Sequence, residues 1–307
     1  MNKSSELHNL SEQAASYGID WFQGTMKGIH HIENWMIICL PPQITRHQSK
    51  HHSRSINGYN ECYEWDCGVK VMRHDKHPDM GVHVIFSGTA WRTTLEDTGL
   101  SDQELINYYN NDMFKPTRID VRCDGFNFDV SARTFATAVE DGECQTSMHS
   151  KTYIHGIDTN ADTLYVGSLK KRSKLLRIYD KGIVEGLDVN WIRFEAEFRQ
   201  SYAKSATAHI FAESKDINET IKELIIGIAD FPEIEAWRVL LGDNGLKIVQ
   251  PATGVGNTKK WLLTSVAKSL ANEVFKDPDF EQTFIAVFKG ILNRMIDKHF
   301  NADNTLE

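Results

Sequence analysis

A chain of 307 residues, 41% hydrophobic and 25% charged, is long enough for one large domain or two ordinary ones and has the composition of a soluble globular protein. Its formal net charge of -8 excludes a blanket nucleic-acid binder, because phosphate neutralisation needs clustered lysine and arginine, and leaves local clusters to be sought. No apolar run approaches the ~18 residues of a membrane span, Met1 to Tyr17 is polar, and the five cysteines lack a CxxC pair, so a reduced, cytoplasmic protein without membrane contact is expected.

Gly18 to Met26 predicts a first strand, short and aromatic, and Ile29 to Leu40 reads as a helix or a second strand, ended by Pro41 and Pro42. From Gln43 to Asn57 the chain is polar and carries Arg46, His47, Lys50, His51, His52 and Arg54, a solvated loop or a phosphate-contacting arm. Glu61 to Arg73 and Gly81 to Gly88 predict two strands of a hairpin. Ser101 with Glu104 is a capping box opening a helix to about Asn111, which Phe114, Lys115 and Pro116 break.

Thr117 to Asp124 is the next predicted strand, and Ser131 caps a helix reaching about Glu140. Strands then follow near Thr152 to His155, Thr163 to Gly167, Leu175 to Lys181 and Trp191 to Arg199. Beyond Gln200 the pattern is helical: Asp216 with Glu219 is a second capping box, Ile234 to Leu241 a short helix, and Gln250 to Asn257 a linker. Thr258 to Phe275 and Pro278 to Phe300 are the strongest helical patterns in the chain. The expected fold is α+β, a mainly antiparallel sheet flanked by helices. Short matches, Ile19-Asp20-Trp21 with Ile119-Asp120-Val121 and Val84 to Gly88 with Leu164 to Ser168, suggest two fused strand-helix-strand-strand halves.

Because alternate residues of a strand share a face, Arg177, Tyr179 and Lys181 are expected together, as are Arg193, Glu195, Glu197 and Arg199, and Arg118, Asp120, Arg122 and Asp124. Lys170, Lys171, Arg172 and Lys174 lead into the tyrosine. Such a stretch suits a phosphodiester: cations bind the backbone and the phenol can attack phosphorus, provided that neighbours such as Arg177 and Lys181 favour phenolate. Asp120, Glu195 and Glu197 are the oxygen donors that Mg²⁺ or Mn²⁺ takes, and equally the acids of a cross-strand salt-bridge ladder. Tyr165 is a second tyrosine on a neighbouring strand. His74, His77 and His83 form no His-hydrophobe-His pair, and there is no Walker A sequence.

Thr117-Arg118-Ile119-Asp120, Leu164 to Ser168, Leu176-Arg177-Ile178-Tyr179-Asp180-Lys181 and Trp191 to Arg199, in that order, resemble the replication initiation factor family of rolling-circle initiators and related conjugative relaxases. Ile19-Asp20-Trp21 and Gly81 to Gly88 look like its amino-terminal motifs. The resemblance spans roughly residues 18 to 275. It implies that Tyr179 attacks one strand at an origin, single-stranded or extruded as a hairpin, stays linked to the 5′ phosphate and frees a 3′ hydroxyl. Asp120 and Glu195, with Glu197, would then hold the metal, and Arg177, Lys181 and Arg193 would steady the phosphate, with Arg118, Arg199 and the basic stretch as further DNA contacts. Host helicase and DNA polymerase are implied as partners, and a homodimer is an open alternative. Residues 1–215 are expected as the nicking domain and 216–307 as a helical region for DNA recognition or dimerisation. A relaxase of the same chemistry, a metal nuclease using water and a non-catalytic DNA-binding regulator are the competing readings.

Overall fold

The computed structural model describes residues 12–29, 35–46, 48–52, 56–156, 161–171, 173–212 and 216–244. Its strands are β1 (Ala14–Met26), β2 (Ser49–His52), β3 (Glu61–Trp65), β4 (Lys70–Arg73), β5 (Val82–Phe86), β6 (Phe114–Phe126), β7 (Lys151–Ile154), β8 (Thr163–Val166), β9 (Lys174–Asp180) and β10 (Trp191–Arg199). They form one ten-stranded sheet in the order β2-β3-β4-β5-β1-β6-β10-β9-β8-β7, and neighbouring strands pair antiparallel. The α+β expectation therefore holds.

The helices are α1 (Trp35–Ile38), α2 (Gly88–Thr98), α3 (Asp102–Asn107), α4 (Ala132–Glu140), α5 (Lys181–Val184), α6 (Ser201–Phe211), α7 (Ile217–Ile226) and α8 (Glu235–Leu241). The period of two sorts the sheet into an apolar and a polar face. Phe22, Phe86, Ile119, Val121, Ile178, Phe194 and Phe198 lie on the apolar one and join the buried cluster that α2, α4, α6, α7 and α8 help to fill. Phe135 of α4 packs against Phe194 and Phe231 at ring separations of 5.2 Å each, and Trp237 of α8 packs on Phe194 at 5.2 Å. Burying rings of this size contributes about 1.5–3 kcal/mol each, which anchors the second half of the sheet.

Several elements depart from the expected bounds. Glu61 to Arg73 is two strands, because Gly68 turns the chain at φ 86°, a conformation glycine adopts without cost. Phe114 to Pro116 begins β6. Pro116 has no N–H to donate, and it stands where the β1–β6 register shifts between Gln23 and Gly24. The Ser101–Glu104 capping box forms, though its helix ends at Asn107. Asp216 caps α7 by accepting from the Asn218 N–H at 3.0 Å, while Glu219 pairs with Lys222. The strong helical patterns at 258–275 and 278–300 lie outside the described residues.

Each half of the sheet has the same plan. One strand (β1, β6) is followed by a helix (α1, α4), four strands and another helix (α2, α6), and β5-β1 in the first half mirrors β10-β6 in the second. By strand order β5 corresponds to β10, not to β8 as the short sequence match suggested, and β4 corresponds to β9. The compact unit containing the sheet runs to Ala252, and the expected boundary at 215/216 falls between α6 and α7.

Candidate active site

Three strands of the second half supply the site, and their register brings the charged residues into rows. Tyr179 stands opposite Arg193, which stands opposite Asp124; Arg177 faces Glu195, which faces Arg122; Glu197 faces Asp120, which faces Trp21 of β1. Tyr165 of β8 lies opposite Arg177.

Arg177 is at the centre. Its Nη2 contacts Glu195 Oε1, lies 3.3 Å from Asp120 Oδ2 and 3.6 Å from Glu197 Oε2. Arg118 grips Asp120 through both Nε, at 2.8 Å, and Nη2, and reaches Glu197 Oε2 at 3.3 Å. Arg199 donates to Glu197 Oε1 at 2.5 Å. The three acids are buried, at 1%, 4% and 0% exposure for Asp120, Glu195 and Glu197. Burial disfavours the Arg177 charge, yet Glu195, Asp120 and Glu197 together raise its pKa.

Tyr179 donates from Oη to Glu195 Oε2 at 3.3 Å. Burial first, then the charge of Glu195, pushes its pKa up, against the lowering by Arg193 and Arg177. The expected phenolate-favouring pair does not prevail here. Arg177 is committed to carboxylates, and β9 ends at Asp180, so that Lys181 opens α5, pairs with Glu185 and lies 5.8 Å from the Trp191 ring. Glu195 is the complementary group: burial raises its carboxyl to about 7, despite Arg177, with Asp20 and Asp120 adding to the rise.

Arg193 is held bidentately by Asp124, at 2.6 and 3.0 Å, and reaches Asp20 Oδ1 at 3.2 Å. Asp20 occupies a β-bulge, the register slipping between Ile19 and Trp21. That extra residue turns its carboxylate onto the polar face beside Arg193 and, at 4.0 Å, Arg122. Strict alternation along β1 cannot place both Asp20 and Trp21 on that face. The only signal for it was the Ile-Asp-Trp motif.

The basic approach divides. Lys170 and Lys171 are exposed and line a cleft of about 620 Å³ with Ser173, Arg199 and Gln200. Lys174 is buried on the opposite face, 5.5 Å from the Tyr202 ring, and burial lowers its pKa. Arg172 lies outside the described residues.

Asp120, Glu195 and Glu197 fit a hard divalent cation in donor chemistry, being oxygen donors that converge in a buried place. Glu197 Oε2 and Arg177 Nε are also buried without a hydrogen-bond partner. With the Arg177 guanidinium between these acids, no group of three acidic, histidine or cysteine side chains among the described residues is arranged to hold a metal ion. Occupation by an ion would require Arg177 to withdraw.

The family profile described as replication initiation factor matches residues 114–285, more than half of the chain, including β6, β9 and β10 but not the β1 strand that supplies Asp20. Among solved structures, the rolling circle replication initiator protein from Geobacillus stearothermophilus is similar with a TM-score of 0.63 and 20% identity, over 78% of this chain and 100% of that one, a likeness of fold. No curated protein matches the chain.

Proposed function

Because the chain belongs to the replication initiation factor family, we propose that it starts rolling-circle replication by cutting and rejoining one DNA strand at an origin through Tyr179. The observation that carries this reading is the Tyr179–Glu195 hydrogen bond of 3.3 Å inside a buried cluster of arginines and carboxylates. A phenol whose pKa is raised needs a base at the moment of attack, and Glu195, held near neutrality, is in reach of its proton.

In the proposed step Tyr179 Oη bonds to phosphorus, its proton passes to Glu195 Oε2, and the bond from phosphorus to the 3′ oxygen breaks. The strand leaves with a 3′ hydroxyl once that oxygen takes a proton from solvent, and the 5′ phosphate stays on the tyrosine. Arg177, with Nε unpartnered, is the cation best placed to turn from the acids to the phosphate. Arg193, clamped by Asp124 and Asp20, keeps the β10 side of the site in register with Tyr179. Asp120, Glu195 and Glu197 are the residues that would hold Mg²⁺ or Mn²⁺, which when bound supplies charge to the scissile phosphate. The same chemistry serves a conjugative relaxase.

The test is incubation of the protein with an origin-bearing plasmid and Mn²⁺, followed by denaturing electrophoresis for a covalent protein–DNA adduct. Wild-type protein is expected to form it and Tyr179→Phe to form none. An adduct with Tyr179→Phe would overturn the assignment of the nucleophile.

A further inference from the structure

The first half of the sheet repeats the plan of the second without its chemistry. Where β10 and β9 present Glu195, Glu197 and Tyr179, the corresponding β5 and β4 present His83, Ile85, Lys70 and Met72 on the same polar face. Acid and nucleophile are replaced by an imidazole, apolar groups and one cation. In their place lies a cleft of about 710 Å³, within the ~300–1,000 Å³ of small-ligand sites, lined by Trp21, Gln23, Tyr59, Lys70, His83 and Ile85 among others.

The lining is aromatic and ordered. The Tyr59 and His83 rings stack at 5.6 Å with planes 14° apart, and His83 Nδ1 is hydrogen-bonded to Thr25 Oγ1 at 2.9 Å. Burial drives the His83 pKa down to about 4, so the imidazole is neutral at physiological pH, and with Nδ1 engaged by Thr25 it has Nε2 left as a single donor or acceptor. The Trp21 indole is fixed on two sides: its Nε1 donates to Gln23 Oε1 at 2.9 Å, and the Arg118 guanidinium lies 4.4 Å from its ring centre. Gln23 in turn reaches Thr117 Oγ1 at 3.3 Å, which fixes its amide. Rigid π-faces beside cations are the features that hold unstacked bases of a single strand.

The cleft shares two arginines with the proposed cutting site. Arg118 and Arg199 line it and also bind Asp120 and Glu197, and Arg199 lines the Lys170–Lys171 cleft as well. From Tyr179 on β9 to Trp21 is three strand spacings and about four residues along the sheet, roughly 20 Å, and His83 lies one strand and about five residues further, roughly 35 Å from Tyr179. A short run of unpaired nucleotides could cover that distance.

We infer that the Trp21–Tyr59–His83 cleft is a base-binding subsite, taking an unstacked nucleobase of the single strand whose phosphate lies at Tyr179. The inference rests on the reading of the polar face as a DNA-cutting site. It assigns the first half of the sheet to reading the strand and the second to cutting it.

The test compares full-length protein binding to fluorescein-labelled (dT)12, (dA)12 and (dC)12 with binding to a 12-residue abasic strand of the same charge. The best homopolymer is expected to bind about tenfold tighter than the abasic strand, the effect of stacking roughly one base. Ile85→Trp, which fills the cleft away from the proposed catalytic groups, is expected to remove that ratio while retaining a cooperative thermal transition. Photo-crosslinking of wild-type protein to a 12-mer containing 5-iododeoxyuridine should label peptides with Trp21, Tyr59 or His83. Equal binding of abasic and homopolymer strands, a ratio that survives in folded Ile85→Trp, or crosslinks confined to other segments would each overturn the inference. Adduct formation without base discrimination would sink the cleft and spare the nicking reading; discrimination without an adduct would do the reverse.

Discussion

Burial holds the Glu195 carboxyl at about 7, against the attraction of Arg177 and with help from Asp20 and Asp120, whereas an unfolded chain returns it to the ordinary carboxylate range near 4.5. A group whose folded pKa is raised contributes stability that is present below the unfolded pKa and lost as pH rises through the folded one. In metal-free buffer with EDTA, the Glu195 contribution should therefore fall between pH about 4.5 and about 7, by on the order of 3 kcal/mol. The measurement is chemical denaturation of wild-type and Glu195→Gln protein at steps across that window. The difference between the two should shift in favour of Glu195→Gln with rising pH, and a constant difference would mean that Glu195 titrates normally. Tyr179, Asp120, Glu195 and Glu197 were legible at this scale because each sits on an unbroken stretch of strand, where a period of two fixes the face. That Asp20 and Trp21 share this face was not, since a bulge adds one residue and breaks that period. Lys181 was misplaced for the converse reason: the strand period was carried one residue past Asp180, where the chain has already turned into α5.

Among the elements, the β1–β6 pair carries the polar face across from one half to the other, and its irregularities decide where side chains point. Gly24 follows the second register shift, opposite Pro116. A Cβ there would press into the Phe114 ring and lie 2.7 Å from the Lys115 carbonyl oxygen. Phe114 cannot move freely, being stacked 5.4 Å from Phe22 and packed 4.7 Å from Tyr109. Gly24→Ala is expected to destabilise the fold by about 1–3 kcal/mol, as overpacking in a filled core does. Thermal unfolding followed by circular dichroism checks it, and a melting temperature equal to wild type would show that β1 and β6 can separate at this point without cost. Strand existence was legible here from alternation and flanking turn residues. The division of Glu61 to Arg73 was not, because Gly68 sits in a short turn between two runs that each alternate correctly. Nor was the start of β6, where Phe114 to Pro116 combines residues that usually interrupt an element with a bulge that accommodates a proline.

At the scale of the whole molecule, the sheet's second half depends on helices that follow it in sequence. Thr220, Ile221, Leu224, Ile225 and Ile226 of α7 and Ala236, Trp237, Leu240 and Leu241 of α8 are buried, and Tyr17 of β1 donates to the Leu240 carbonyl oxygen at 2.5 Å. A side chain at Gly125 of β6 would meet Leu240 at 2.7 Å, so α8 packs directly against the central strand. The amphipathic spacing of Ile221, Leu224 and Ile225 made α7 legible as a helix, but periodicity says only that a face is buried and not what buries it. A chain ending at residue 215 would lose the seven large apolar side chains among these, at about 1.5–3 kcal/mol each or roughly 10–20 kcal/mol together, which is as large as the roughly 5–15 kcal/mol by which domains are stable. A chain ending at Ala252 keeps the compact unit and every described residue of the proposed site. The 1–252 chain is accordingly expected to unfold cooperatively and to form the Tyr179 adduct with a short single-stranded oligonucleotide, and the 1–215 chain to be unfolded or aggregated. Analytical ultracentrifugation and thermal melts of both chains, with the adduct assay on whichever folds, decide between them. A folded, active 1–215 chain would place α7 and α8 outside the catalytic unit, and a 1–252 chain that folds without cutting would show that residues beyond Ala252 contribute to the reaction itself.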